Sequence, residues 1–151
     1  MPNITFYAFS ESNTPQALLF VCRLIEKCYA NNQKIYIHTT SQEEAERVDT
    51  LLWTYREDNF IPHNFYGSNE EPMPPIQIGH GQTPDNHHDT LVNLTQEIPA
   101  FYKQFQHVIE IVLPEPAQQQ YGRERYRRYR DQAHEIATHR ITANELHAKN
   151  I

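Results

Sequence analysis

Apolar residues along the chain alternate between short continuous runs and helical stripes, starting at the N-terminus. Residues 3–9 (NITFYAF) are rich in β-branched and aromatic side chains and end at a polar cluster, which predicts a first strand. Thr14 is the predicted cap of a first helix, with Pro15 at its first position and an Asn pair at 31–32 as its end. The predicted buried face of this helix comprises Leu18, Val21, Cys22, Ile25 and either Cys28 or Tyr29.

A second strand and a second helix repeat this order. Residues 34–39 (KIYIHT) predict the strand, and Ser41 with Glu44 forms a capping box that predicts the start of the helix. The apolar stripe of that helix comprises Ala45, Val48, Leu51, Leu52 and Tyr55.

The rest of the chain continues to alternate strands with helices, although its middle is more broken. A short strand is expected within 59–67, a short helix at 98–105 and a last, longest helix at 117–137. Further strands are predicted at 76–80, 90–95 and 107–114. This alternation predicts a three-layer α/β fold, a mostly parallel twisted sheet with helices on both faces. We expect one domain at 1–135, followed by a C-terminal tail at 136–151 that frays or extends the last helix.

Length and composition fit this expectation. A chain of 151 residues with 38% hydrophobic and 21% charged residues is typical of one globular domain. The longest apolar run, at 109–114, is too short to cross a membrane, and the N-terminus has no export signal. We therefore expect a cytoplasmic protein that makes no membrane contact.

Signals for catalysis or for a cofactor are weak. None of the four glycines lies between the first strand and the first helix, and GHGQTP at 79–84 lacks the rest of a phosphate-binding loop, so we expect no nucleotide cofactor. A nucleotide- or metal-dependent enzyme that uses the loop at 79–90 stays an alternative, although the spacing of its ligand-type residues matches no known metal pattern. Those residues are His80, Asp85, His87, His88 and Asp89. Glu110 lies inside a predicted central strand and is either catalytic or, as we favour, paired with a structural partner.

A concentrated basic segment lies near the C-terminus of this acidic chain. The residues YGRERYRRYR at 121–130 contain five of the 13 Lys and Arg, whereas the formal net charge is -6. On a helix, one face would carry Arg123, Arg127 and Arg130 together with Tyr126. That face is either a solvated surface paired with Glu124 and Asp131, or a site for a small acidic, aromatic ligand. Direct binding of nucleic acid is less favoured because the neighbouring segments are acidic.

Three separated motifs give the chain a family resemblance. They are TFYAF at the N-terminus, LLWTYREDNFIPHN in the middle, and VLPEP followed by YGRERYRRYR near the C-terminus. Together they resemble the chi subunit of the bacterial DNA polymerase III holoenzyme, an accessory protein of the clamp loader. The resemblance covers nearly the whole chain except 67–90 and the tail beyond about 135. It implies a nucleotide-binding-like fold without a phosphate loop, without a cofactor and without enzymatic activity of its own.

The resemblance also implies two protein partners in DNA replication. One is the psi subunit of the clamp loader, and the other is the acidic C-terminal tail of single-stranded DNA-binding protein, which ends in a Phe carboxylate. Contact with DNA would then be indirect. Arg123 matches a tail-binding arginine expected to bind a carboxylate, while Tyr126 and Leu113 match positions expected to shelter the Phe ring.

One tail-binding position departs from the family. Gln119 replaces a lysine of the best-known members, which removes a positive charge from one edge of the expected site. Arg127 or Arg125 is expected to compensate for that charge.

The psi contact is expected around the middle motif. Phe60 matches an aromatic residue of the family's psi interface, and Ile61 would extend it into an exposed apolar patch. Trp53 either joins that interface or packs in the core.

Overall fold

The computed structural model describes residues 2–56, 61–68, 72–85 and 87–146, and within them every strand pair is parallel. The strands are β1 (Asn3–Phe9), β2 (Ile35–Thr39), β3 (His63–Phe65), β4 (Ile76–His80), β5 (Thr90–Asn93), β6 (His107–Val112) and β7 (Ile136–Ile141). They form one seven-stranded sheet in the order β3-β4-β2-β5-β6-β1-β7. The predicted α/β fold is confirmed, and the sheet is parallel in all described pairs.

Helices cover both faces of the sheet. They are α1 (Thr14–Ala30), α2 (Gln42–Thr54), α3 (Pro116–Asp131) and the short α4 (Ala143–Leu146), with a 3-10 helix at Tyr102–Gln104. The apolar sides of α1 and α2 pack with Ile37 and Ile111 in one core cluster. Tyr129 of α3 and Tyr102 of the 3-10 helix pack with Phe6 on the opposite face. None of the described helices is long and apolar enough to span a membrane.

The predicted starts of the three long helices are correct to within one residue, whereas the short helix expected at 98–105 is a 3-10 helix at Tyr102–Gln104. Ser41 caps α2 as predicted, since its Oγ accepts a 3.2 Å hydrogen bond from the amide of Glu44. The cap of α1 is Asn13 rather than Thr14. Oδ1 of Asn13 accepts a 2.9 Å hydrogen bond from the Gln16 amide, and the Gln16 side chain accepts one of 3.2 Å from the Asn13 amide. This reciprocal pair satisfies two of the amides that a helix start leaves without partners.

Residues 136–146 neither fray nor continue the last helix, and the rest of the expected tail, 147–151, lies outside the described residues. Helix α3 ends at Asp131, and Ala133 adopts a left-handed backbone conformation with φ of 61°. The amide of His134 then donates to the carbonyl of Tyr129 over 3.2 Å, which closes the helix in a Schellman-type turn. The chain reverses into β7, which pairs with β1 at the edge of the sheet. The same sheet therefore extends past residue 135. Leu146 of α4 is buried in the core cluster that contains the apolar sides of α1 and α2.

Candidate functional site

Three neighbouring strands place one row of side chains on the α3 face of the sheet. Ala8 of β1 lies opposite Val112 of β6 on one side and opposite Arg140 of β7 on the other. In the next row toward the N-terminal ends, Phe6 lies beside Thr138. Because alternate residues of a strand point to the same face, these side chains form one surface with a small residue at its centre.

Helix α3 approaches this surface closely at a glycine. A Cβ atom added to Gly122 would lie 2.8 Å from both methyl carbons of Val112, closer than real Cβ atoms come to a neighbour. The glycine therefore lets the helix axis approach β6. Farther along the helix, Arg123 and Tyr126 line the same surface, and the Tyr126 ring packs edge-on against Phe6 of β1 with 5.7 Å between centroids.

A pocket of about 470 Å³ lies between α3 and the β1–β7 surface. Its floor is apolar, with Phe6, Ala8 and Val112, and its rim carries the guanidinium groups of Arg123 and Arg140. Arg140 went unrecognised in the sequence because β7 was not predicted. The alternation of TFYAF, by contrast, already set Phe6 and Ala8 on one face.

The arginines on the outer face of α3 are scarcely engaged by acidic residues. Arg123 donates a 3.0 Å hydrogen bond from Nη2 to Oε1 of Gln120, a neutral partner. Within the described parts of the chain, the acidic partner found for this face is Asp131, 3.7 Å from Arg130 in an exposed pair. The alternative of a self-paired face that involves Glu124 thus has no ion pair to support it among the described residues.

Arg125, on the inner face of the same helix, has a different environment. Its Nε donates a 2.8 Å hydrogen bond to Oε1 of Glu110, and both side chains are buried. The other carboxylate oxygen accepts a 2.5 Å hydrogen bond from the hydroxyl of Tyr129, and Asn93 donates to both oxygens over 3.0 and 3.1 Å. Burial raises the pKa of Glu110 above its ordinary value, while these donors act to lower it. Glu110 has the structural partners favoured for it, and Arg125 cannot compensate for Gln119 in solvent.

Two further predicted tail-binding residues lie elsewhere than expected. Leu113 is 8% exposed and packs in the core cluster with α1 and α2, on the face of the sheet opposite to α3. Its neighbour Val112 lines the pocket instead, because consecutive residues at a strand end point to opposite faces. Arg127 is exposed but does not line the pocket, so it is not the pocket's second cation. Gln119 does line the pocket.

A second surface lies at the opposite edge of the sheet, where α2 packs beside β3. Trp53 is 49% exposed, so the core alternative is wrong, and its ring centroid lies 4.7 Å from that of His63. Nε2 of His63 lies 3.1 Å from Oδ1 of Asp49. Phe65, 37% exposed, continues the same side of β3. Ile61 is only 1% exposed and packs in the core, which corrects its place in an exposed patch.

Phe60, the other residue expected in that patch, lies outside the described residues.

In the described part of the loop after β4, metal-ligating side chains do not cluster. Gly79 is required for packing, since a Cβ there would lie 2.0 Å from the hydroxyl oxygen of Tyr36. Asp85 accepts a 2.8 Å hydrogen bond from Tyr66, and Asp89 accepts one of 2.8 Å from the Lys34 amide. Over 72–85 and 87–146, as in the other described segments, three or more metal-ligating side chains do not converge.

Comparison with known proteins identifies the family of this chain. A family model described as "DNA polymerase III chi subunit, HolC" matches residues 1–137. DNA polymerase III subunit chi of Pseudomonas aeruginosa is 35% identical over 141 residues, which cover 93% of this chain and 98% of that protein. The chi subunit of Haemophilus influenzae is 31% identical over 137 residues, covering 90% and 95%, and that of Escherichia coli K12 is 28% identical over 135 residues, covering 86% and 92%. The chain belongs to the DNA polymerase III chi subunit family, whose members are accessory subunits in DNA replication.

Proposed function

We propose that this chain is a non-catalytic adaptor of the polymerase III clamp loader, with two separate protein-binding surfaces. The pocket between α3 and β7 binds the acidic C-terminal tail of single-stranded DNA-binding protein. The surface around Trp53 binds the psi subunit. The observation that carries the first assignment is an exposed arginine, Arg123, beside an apolar pocket partly roofed by Tyr126.

The chemistry of the pocket suits a peptide that ends in phenylalanine. Its volume of about 470 Å³ lies within the range of small-ligand sites. Phe6 and Tyr126 already pack edge-on at 5.7 Å, a geometry that a third aromatic ring can extend. A guanidinium group binds a carboxylate through two parallel hydrogen bonds. Arg123 can readily exchange its neutral contact with Gln120 for such a contact with a carboxylate.

Binding of one tail to such an open pocket is expected to be weak, on the order of micromolar. Several tails on one coated DNA strand raise the effective concentration, so that a weak contact becomes firm attachment without new contacts. The exposed charges are screened over about 8 Å at physiological ionic strength, and salt therefore weakens the interaction.

The psi assignment rests on the exposed aromatic residues at the β3 edge. Trp53 and Phe65 both expose a large apolar surface, and β3 is the edge strand of the sheet in the described part of the chain. Exposed aromatic side chains of this kind are frequent anchors in protein interfaces. The α3–β7 pocket lies at the other end of the strand order, so both partners can bind at once.

Calorimetric titration with a synthetic acidic peptide ending in Phe tests the tail assignment. The wild type should bind it, and binding should weaken strongly when the peptide's terminal carboxylate is amidated or its Phe is replaced by Ala. Arg123→Glu should abolish binding while the thermal midpoint stays unchanged, because Arg123 is exposed. Unchanged affinity in that variant contradicts the placement of the site.

Thermal unfolding with added ligands separates this proposal from an enzyme that uses the loop at 79–90. A ligand that binds the folded state raises the midpoint by mass action. The acidic peptide should raise it, whereas ATP, NAD and divalent metals should not. A rise with a nucleotide or metal alone supports the enzyme instead.

A further inference from the structure

Gln119, at the edge of the pocket, is a neutral side chain that is already engaged. Nε2 of Gln119 donates a 2.8 Å hydrogen bond to the carbonyl of Leu113 and a longer one of 3.5 Å to that of Phe9. The amide therefore binds the ends of β6 and β1 together. It brings no charge to the pocket, so only one of the pocket's cations comes from α3.

The second cation comes from the edge strand. Arg140 lies directly opposite Ala8, and its side chain lines the pocket across the apolar floor from α3. It is exposed, and no described acidic residue forms an ion pair with it. A guanidinium group that borders an apolar pocket and has no carboxylate partner of its own is suited to bind a carboxylate of a ligand.

We propose that Arg140 is a specificity-determining residue of the peptide site, which binds an acidic side chain upstream of the peptide's C-terminal residue. This inference rests on the proposed tail-binding function. Arg123 and Arg140 then bind two different carboxylates of one peptide, the terminal carboxylate at α3 and a side-chain carboxylate at β7.

The two sides of the pocket differ in how open they are, and this difference decides which arginine binds which carboxylate of the peptide. Helix α3 closes one wall of the pocket, since Gly122 contacts Val112 directly. Among the described residues, β7 is the last strand of the sheet and its middle residues are exposed, so the pocket is open on that side. The upstream residues of a bound peptide must therefore extend out of the pocket over that open side, past Arg140.

The spacing fits an extended peptide. Neighbouring strands lie about 4.8 Å apart, which puts the backbone of β7 roughly 10 Å from that of β6 beneath α3. An extended peptide advances about 3.3 Å per residue, so an acidic residue two or three positions before the C-terminus reaches β7. The ligand class is therefore a peptide with an apolar C-terminal residue and at least one nearby upstream acid.

A titration with three peptides and three variants tests the inference. The peptides are an acidic peptide ending in Phe, its C-terminal amide, and a version with Asn and Gln in place of its acids. The variants are Arg140→Gln, Arg123→Gln and, as a control with the same charge change outside the pocket, Arg127→Gln. All are exposed positions, and unchanged thermal midpoints check that each variant folds.

We expect Arg140→Gln to weaken binding of the acidic peptide roughly tenfold at low salt, and Arg127→Gln to weaken it less than twofold. The loss from Arg140→Gln should persist with the amidated peptide and vanish with the neutralised one. If Arg140→Gln behaves as Arg127→Gln while Arg123→Gln abolishes binding, the inference is overturned and the proposed function survives. A loss that vanishes with the amidated peptide overturns the division of roles, and a wild type that binds no peptide overturns the proposed function as well.

Discussion

Nε of Arg125 lies 2.8 Å from Oε1 of Glu110, and this buried pair fixes α3 to the central strand β6. Nη1 of Arg125 also donates to the carbonyl of Gln96 over 3.0 Å, and Nη2 to that of Ile111 over 3.2 Å. The guanidinium group is thus held by three acceptors from two parts of the chain, strand β6 and the segment after β5. Two residues earlier on the helix, Arg123 faces solvent over the pocket. The buried arginine orients the helix, and the exposed one is available to a partner.

Replacing Arg125 with Met should destabilise the fold strongly. The variant leaves the Glu110 carboxylate buried without its cation, and removal of one partner of a buried pair costs about 3–5 kcal/mol. Urea unfolding measures the loss in the free energy of unfolding. The exposed control Arg127→Met should change it by less than about 0.5 kcal/mol. Equal effects of the two substitutions would show that the Arg125–Glu110 pair does not hold the helix.

Acidification should destabilise the protein between about pH 6.5 and pH 4. Burial lowers the pKa of His87 to about 4 and also lowers that of His38, His107 and His134. The unfolded chain binds these protons near pH 6.5 and the folded chain only at lower pH, so stability is full above pH 6.5 and is lost as pH falls. Each such histidine contributes a slope of up to about 1.4 kcal/mol per pH unit.

An NMR titration of the imidazole signals checks the His87 assignment directly. Its pKa should lie well below the ordinary value, and urea unfolding of His87→Asn should show a shallower loss over the same pH window. A His87 ring that titrates near pH 6.5 contradicts the burial described for it, which leaves the residue only 3% exposed.

Trp53→Ala should separate partner binding from folding. Trp53 is 49% exposed, so truncating it should cost less stability than truncating a core residue, while a buried interface anchor typically costs about 2 kcal/mol or more of binding free energy. Co-purification with psi should therefore be lost. Leu19→Ala, at another exposed apolar residue on a helix (40% exposed), should retain psi. Retention of psi by Trp53→Ala would place its interface elsewhere.

Gln119→Lys should tighten binding of the acidic peptide and make it more sensitive to salt. The new ammonium group adds a third cation to the pocket, and the lost hydrogen bond to Leu113 should cost only about 1 kcal/mol of stability. Affinities measured at two salt concentrations should show a gain of several-fold at the lower one. A gain that is the same at both concentrations would mean that charge does not drive it.

Sequence patterns were sufficient for most of the fold because the strands and helices have clear periodicity. The six strands up to β6 alternate with recognisable turns or helices, and residues 76–80 match β4 at both ends. Strand β7 was missed for a physical reason. Its start depends on Ala133 adopting a φ of 61°, which a residue other than glycine rarely does, and its middle residues are exposed.

The candidate site was predicted only in part. The helical spacing correctly placed Arg123 and Tyr126 on an exposed face, but it gave no sign that Arg125 turns inward to a buried carboxylate. The family resemblance predicts Leu113 as the apolar residue of the site, whereas the register of β6 against β1 places Val112 in the pocket. Arg140 required the tertiary pairing of β7 with β1, which no local pattern in the sequence indicates.

Mapping the bound peptide by backbone amide shifts tests the central claim most directly, which is that one pocket between α3 and β7 receives the partner's acidic C-terminus. On addition of an acidic peptide ending in Phe, the largest shifts should fall on the amides of Ala8, Arg123, Tyr126 and Arg140. Shifts centred on the loop at 79–90 or on Trp53, with these four unmoved, would contradict the account.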